Sequence, residues 1–401
     1  MSDFFQNGVI TTFHRLGKPN LKRLEGELKD FSKIRPIALV LPSLYREYES
    51  GALPKIVESV SKVNYLNEIV LCLDRADESQ FQEVRSHFVD VRRMSIIWND
   101  GPRMKELYQL LEDNKLSPGL VGKGRAVWMS LGYVLAGRKS RVIAIHDCDI
   151  VNYDRELLAR LCYPVASPST EIEFCKGYYS RVTDSLFGRA TRLFFTPFIR
   201  ALQTILGYLP FLVYMDSFRY ALAGEIAMRR DLATAMRIPC DWGLEVGMLA
   251  EVYRNMALNR ICQVDIADTY EHKHQPLVPD DPETGVLKMT VDITKSIFRN
   301  LALEGVEFSV GFFKTLGNIY LKVAQETIVS YENDAAINGL RFDRHSESLC
   351  VEAFAKGIER AGEVFWQNPS EIVLIPNWHR VTAAIPEFYG KLKEVVNLDN
   401  Q

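Results

Sequence analysis

The sequence predicts an α/β protein with an open mixed sheet flanked by helices and a helical C-terminal extension. Three observations carry that expectation. Short, unbroken apolar runs of β-prone residues recur early in the chain, stretches of helical periodicity separate them, and from Asp292 onward amphipathic helix dominates.

Residues 1–35 read as a polar leader. Pro36 then opens Ile37-Ala38-Leu39-Val40-Leu41-Pro42, a continuous apolar run of the kind a strand shows when both its faces are covered. A periodic helix follows over residues 53–63. Glu68-Ile69-Val70-Leu71-Cys72-Leu73-Asp74 is a second buried strand that closes on an acid, and Ser95-Ile96-Ile97-Trp98-Asn99 is a third. The turn Gly122-Lys123-Gly124 starts a helix through Trp128 and Leu131 that leads into a further strand, Val142-Ile143-Ala144-Ile145-His146. Such repeats imply right-handed crossovers, and ligands of open α/β sheets bind beyond the carboxyl ends of the strands. Pro42, Ser43 and Leu44, Asp74, Asn99 and the pair Asp147 and Asp149 therefore converge on one edge. Short strands and helices alternate to about residue 280, including Leu222-Ala223-Gly224-Glu225 and a helix around Glu245. Beyond it, Ile293, Ile297 and Leu301, then Val351, Phe354 and Ile358, mark apolar helix faces. The expected organisation is a main domain over residues 36–280 and a helical region over 281–401, packed on that domain or on a partner subunit.

At 401 residues the chain can bury a large core without staples. Charged residues make up 25%, hydrophobic ones 47%, and the formal net charge is -3, which argues against nucleic acid as a partner. Seven cysteines lie in apolar surroundings without a Cys-x-x-Cys pair, the pattern of buried thiols in a reducing compartment. The first residues lack the basic and apolar regions of a signal peptide, and no stretch has the length of a membrane span, so a cytoplasmic location is expected. Residues 201–215 are uncharged but short and broken by Pro210, which suits a buried or partner-facing helix.

Asp147-Cys148-Asp149 is the densest chemical signal. Alternation along a strand sends Asp147 and Asp149 to one side and Cys148 to the other. Two carboxylates so placed suit a hard, oxygen-seeking cation such as Mg²⁺ or Mn²⁺. A bare Asp-x-Asp also describes many solvated loops, so its surroundings must decide. Glu245 stands in an otherwise apolar helix segment, where a carboxylate is costly without a partner or ligand.

Six segments, in order, resemble the glucosyl-3-phosphoglycerate synthases, retaining glycosyltransferases of the GT-A fold. They are Leu41-Pro42-Ser43-Leu44; Gly122-Lys123-Gly124-Arg125; Asp147-Cys148-Asp149-Ile150-Val151-Asn152; Gly188-Arg189-Ala190-Thr191; Gly224-Glu225 together with Gly243-Leu244-Glu245-Val246-Gly247; and Glu271-His272-Lys273-His274. The resemblance implies a donor site at Pro42, Ser43 and Leu44, with either Glu47 or Glu49 meeting the nucleotide, and with Lys123, Asp147, Gly224, Glu225 and Glu245; Asp74 and Asn99 join the expected donor site as polar strand ends on the same edge. It implies Asp149 and His272 as ligands of Mg²⁺ or Mn²⁺. Gly188, Arg189, Thr191 and His274 would bind the acceptor, although Arg181 and Arg192 lie close enough in sequence to exchange roles with Arg189. Asp147 and Glu245 would serve catalysis, Glu245 by holding the sugar or assisting charge separation.

The expected reaction moves an α-glucosyl unit from a nucleotide sugar, UDP-glucose first, to 3-phosphoglycerate or D-glycerate. Lys273-His274-Gln275 stands where the family has Arg-Asn-Arg, which keeps the unphosphorylated acceptor in play. GDP-mannose as donor, a non-catalytic nucleotide-sugar-binding protein, and a membrane-associated transferase using residues 193–215 are the alternatives. The family suggests a homodimer, with residues 194–214 and the C-terminal helices as a possible interface.

Overall fold

The computed structural model describes residues 5–6, 8–17, 20–270, 285–369 and 374–401. Among them, β1 (Thr11–Phe13), β2 (Ile37–Leu44), β3 (Leu66–Asp74), β4 (Met94–Trp98), β5 (Val142–Ile145), β6 (Phe174–Tyr179), β7 (Ile226–Arg229) and β8 (Ile261–Ala267) form one sheet. Its order is β1-β8-β6-β7-β5-β2-β3-β4. β7 runs antiparallel to β5 and β6, and the other pairings are parallel.

The alternation within β2 explains why its sequence is apolar throughout. Ala38 and Val40 enter the hydrophobic cluster on one face, Ile37, Leu39 and Leu41 the cluster on the other. The helices Ala52–Ser61, Glu78–His87 and Arg155–Ala166 contribute to one cluster, the helix Lys123–Gly137 and the C-terminal helices to the other. The chain steps from β2 to β3 to β4 in one direction, while β5 lies on the opposite flank of β2. This reversal opens a crevice beyond the carboxyl ends of β2 and β5.

Residues 11–34 do more than lead into the domain. β1 extends the sheet beside β8, and the helix Leu21–Ile34 buries Leu24 and Leu28 against the same cluster as Arg155–Ala166. Three residues are too few for an apolar pattern to reveal a strand.

The C-terminal region is built into this body. Trp378 stacks on Trp128 with ring centroids 4.2 Å apart. Gly132 makes the room: a β-carbon there would stand 2.7 Å from Trp378 Cε2. Trp128 donates from its indole nitrogen to the Pro376 carbonyl at 2.8 Å. Asn400 closes the open edge of β4, accepting from the Ile96 amide at 3.0 Å and donating to the Ile96 carbonyl at 2.7 Å.

The apolar stretch 194–214 folds as the end of a π-helical turn, Ala190–Phe195, and two helices, Thr196–Leu206 and Pro210–Asp216, with Pro210 opening the second. Its large side chains Phe194, Phe198, Leu202, Phe211 and Leu212 are buried within this chain, and Phe194 stacks on Phe354 at 5.3 Å. Those side chains serve this chain's own core, whereas Tyr208, between the two helices, is 78% exposed. No helix among the described residues is long and apolar enough to cross a membrane.

Candidate active site

β5 ends at Ile145, and the next residues keep its alternation: His146, Cys148 and Ile150 are buried while Asp147 and Asp149 reach partly into solvent. Lys123 stands at the start of the helix Lys123–Gly137, whose first turn approaches closely because Gly124 has no side chain. A β-carbon there would fall 2.7 Å from Cys240 Cα. From this position Lys123 Nζ donates to Glu245 Oε1 at 2.8 Å and lies 2.6 Å from Asp147 Oδ1. Burial works to lower the pKa of this ammonium, but Asp147 and then Glu245 outweigh it and hold the pKa well above that of an ordinary lysine. Three residues separated by 24 and 98 positions in sequence thus share one charge cluster.

Gly224 and Glu225 form the floor. A β-carbon at Gly224 would stand 2.5 Å from the carboxylate carbon of Asp147, so only glycine lets the β7 approach pass beneath it. Glu225 is fully buried and accepts a hydrogen bond from the Tyr270 hydroxyl. Tyr270 in turn stacks on Tyr179, with centroids 3.7 Å apart. Below these lies Lys176 of β6, 1% exposed, whose ammonium donates to the Ala223 carbonyl. Burial foremost lowers its pKa to about 8, against the opposing pull of Glu245 and Glu225. The sequence carried a signal for Lys176 that went unused: a lysine inside the apolar run Phe174-Cys175-Lys176-Gly177-Tyr178-Tyr179 must meet polar partners where it is buried.

At the end of β2, Pro42 and Ser43 are buried and Leu44 partly so. The two candidate glutamates separate here. Glu47 is 5% exposed, with Oε1 receiving Arg46 Nε at 2.8 Å and Oε2 buried without a hydrogen-bond partner, whereas Glu49 lies in solvent. Asp74 and Asn99 do sit at neighbouring strand ends but turn toward each other rather than outward. Asn99 donates to Asp74, and the Tyr108 hydroxyl donates to Asn99. Arg125 covers the Tyr108 ring at 4.3 Å. Both residues are 3% exposed or less. Burial raises the pKa of Asp74 to about 6.

Gly188 and Arg189 lead into the π-helical turn that contains Thr191, a local widening that often accompanies functional sites. Gly188 has φ of +72°, a conformation that favours glycine, and a β-carbon there would meet the side chain of Arg181 at 3.9 Å. Arg189 is not a free surface charge: its Nε donates to Glu347 Oε1 at 2.7 Å. Thr191 is buried, and so is Arg192, which also donates to Glu347. Arg181 donates to the Tyr220 hydroxyl at 3.3 Å, and Asp149 contributes to its electrostatic environment. His272 and His274 lie outside the described residues.

The donor set suits Mg²⁺ or Mn²⁺. Asp147 and Asp149 are both partly exposed at the strand end and offer hard carboxylate oxygens, and the Asp147 carboxylate is seated in the space left by the absent side chain of Gly224.

No family model matches the chain. Individual proteins do. It is 51% identical over 401 residues to a glucosyl-3-phosphoglycerate synthase of Persephonella marina, covering 100% of this chain and 99% of that one. The chain belongs to the glucosyl-3-phosphoglycerate synthase family. A synthase of Methanococcoides burtonii is 39% identical over 407 residues, covering 99% and 98% of the two chains. Among solved structures, the Mycobacterium tuberculosis synthase in complex with Mn²⁺, UDP and glucosyl-3-phosphoglycerate matches with a TM-score of 0.54 at 21% identity, over 74% of this chain and 89% of that one. Its complex with Mn²⁺, UDP-glucose and phosphoglyceric acid matches with a TM-score of 0.53 at 23% identity, over 75% and 89%. At those identities the structures establish the GT-A architecture, and the full-length relatives establish the glucosyl-3-phosphoglycerate synthase family.

Proposed function

We propose that this protein transfers an α-glucosyl unit from UDP-glucose to the hydroxyl of 3-phosphoglycerate with retention of configuration. The observation that carries the reading is the Lys123 bridge between Asp147 and Glu245, set in the β2–β5 crevice of a chain matched along its whole length by synthases of this name. A nucleoside diphosphate leaves with negative charge growing on its β-phosphate, and Lys123 supplies a fixed positive charge beside that position. Asp149 and His272 would hold the divalent cation, which when bound supplies Lewis-acid stabilisation of the same charge.

Glu245 keeps its carboxylate at the mouth of the cluster through Lys123, in place to accept hydrogen bonds from sugar hydroxyls and to favour positive charge at the anomeric carbon. Glu47 offers its buried, unpaired oxygen to a ribose hydroxyl. Arg189 and Thr191 receive the acceptor's anionic groups, with the guanidinium as a planar clamp. A phosphorylated acceptor fits the relatives' activity better than D-glycerate does. The seven cysteines are buried and joined in no disulfide, which supports a cytoplasmic enzyme.

The test is nucleotide release with Mg²⁺ or Mn²⁺, crossing UDP-glucose and GDP-mannose against 3-phosphoglycerate and D-glycerate. Release is expected for UDP-glucose with 3-phosphoglycerate, is abolished by chelation, and is lost in Asp149→Ala. UDP-glucose binding without release in any combination would establish the non-catalytic reading instead.

A further inference from the structure

We propose that Glu347, on the C-terminal helix Arg344–Gln367, is a positioning residue for acceptor binding, fixing the Arg189 guanidinium in the orientation that meets the acceptor anion. The inference rests on the reading of Arg189 as an acceptor residue. Its evidence is the geometry around one buried carboxylate. Glu347 is 3% exposed, with Oε1 receiving Arg189 Nε at 2.7 Å and Oε2 receiving Arg192. Ser346, its neighbour, accepts from Arg189 Nη2 through Oγ at 3.1 Å.

The two arginines are not equivalent. Arg192 spends its donors inward, on the carbonyls of Phe187 at 2.9 Å and Leu186 at 3.1 Å as well as on Glu347, and its guanidinium lies 5.2 Å from the centre of the Tyr331 ring. It is 7% exposed, and these contacts occupy its donors within the protein. Arg189 keeps a third of its side chain exposed and commits two of its five N–H donors to Glu347 and Ser346. Three N–H donors remain beyond those two bonds. One carboxylate between two guanidinium groups leaves a net charge of about +1, suited to an anionic acceptor, and holds the exposed arginine rigid before it arrives.

The surrounding chain enforces this arrangement. Arg341 pairs with Asp184, and the Arg341 amide donates to the Asp184 carbonyl at 2.8 Å, tying the start of the C-terminal helix to the loop that precedes Gly188. Asp343 caps that helix by accepting from the Ser346 amide at 3.0 Å. The C-terminal region therefore reaches into the acceptor side of the active site and does more than pack behind it.

Steady-state kinetics on the full chain test the assignment. Glu347→Gln should raise KM for 3-phosphoglycerate about tenfold, the scale of one charge-assisted bond, and leave KM for UDP-glucose within about twofold. An unchanged KM for 3-phosphoglycerate overturns the assignment. So does a lowered one, the result expected if Glu347 did no more than subtract charge. Arg189→Met separates this inference from the reading beneath it. If that variant leaves KM for 3-phosphoglycerate alone, Arg189 is not an acceptor residue; if it raises KM while Glu347→Gln does not, Glu347 is not its positioner. In an Arg189→Met background, Glu347→Gln should add no further rise, and an additive rise sinks the coupling. Should Glu347→Gln fail to fold, Ser346→Ala removes only the second bond to Arg189. A rise of a few fold in the same KM supports the proposal, and no change overturns it.

Discussion

Gly224 lies against the carboxylate of Asp147, close enough that a β-carbon on it would occupy space the carboxylate holds. Asp147 is also the partner of Lys123, so any displacement of its carboxylate moves the ammonium shared with Glu245. Gly224→Ala is expected to leave the fold intact and to lower kcat by about 10²-fold, the usual cost of misplacing a catalytic group by an ångström. Near-wild-type turnover with an unchanged melting temperature would show that Asp147 can move without consequence.

Much of this arrangement was legible in the sequence, for physical reasons that differ from residue to residue. The parallel strands announced themselves because burial on both faces demands unbroken apolar runs, as in Ile37-Ala38-Leu39-Val40-Leu41. Asp147 and Asp149 were placed by alternation at a strand end. Lys123 and Glu245 were recognised by their local motifs, yet their meeting could not be deduced, because it depends on Gly124 allowing a helix start to approach Cys240. The direction in which a strand-end residue faces was also hidden: Asp74 and Asn99 bond to each other because Tyr108, from the following helix, closes over them. Glu347 sits 158 residues from Arg189, in a helix whose apolar periodicity gave no hint of a polar task.

The separation of Glu47 from Glu49 gives a paired prediction. Glu47→Gln keeps the shape of a buried side chain but removes the charge and acceptor strength offered to a ribose hydroxyl. Its KM for UDP-glucose should rise about tenfold, while Glu49→Gln, altering an exposed group, should change nothing. The reverse pattern would assign the nucleotide contact to Glu49.

Asp74 makes stability depend on pH in a definite direction. Burial foremost raises its folded pKa to about 6, whereas the unfolded chain ionises it near pH 4. Between those values the folded state keeps a proton that the unfolded state has lost, so stability falls as pH rises through this window, by on the order of 2 kcal/mol. Asp74→Asn carries no such proton. Urea unfolding should therefore show the stability of the variant relative to wild type increasing from pH 4 to 6 and levelling off above. A difference constant across that range would mean that Asp74 titrates normally.

Lys176 makes activity and stability move in opposite directions at alkaline pH. Its ammonium is surrounded by Glu245, Glu225, Lys123 and Asp147, and burial outweighs the carboxylates to leave a folded pKa of about 8. Above that pH the Ala223 carbonyl loses a charged donor, and the carboxylates that Lys176 and Lys123 had balanced together depend on Lys123. The kcat should decline as pH rises through about 8. Over the same range the unfolded chain still binds a proton that the folded protein has released, so this group makes the fold more stable between about pH 8 and 10. Lys176→Met should abolish both slopes, giving low kcat with no decline near pH 8, and Lys176→Arg should move the decline to higher pH. If kcat and stability instead fall together in wild type, and the Met variant keeps the same alkaline limb, the loss of activity reflects general unfolding and Lys176 has no part in it.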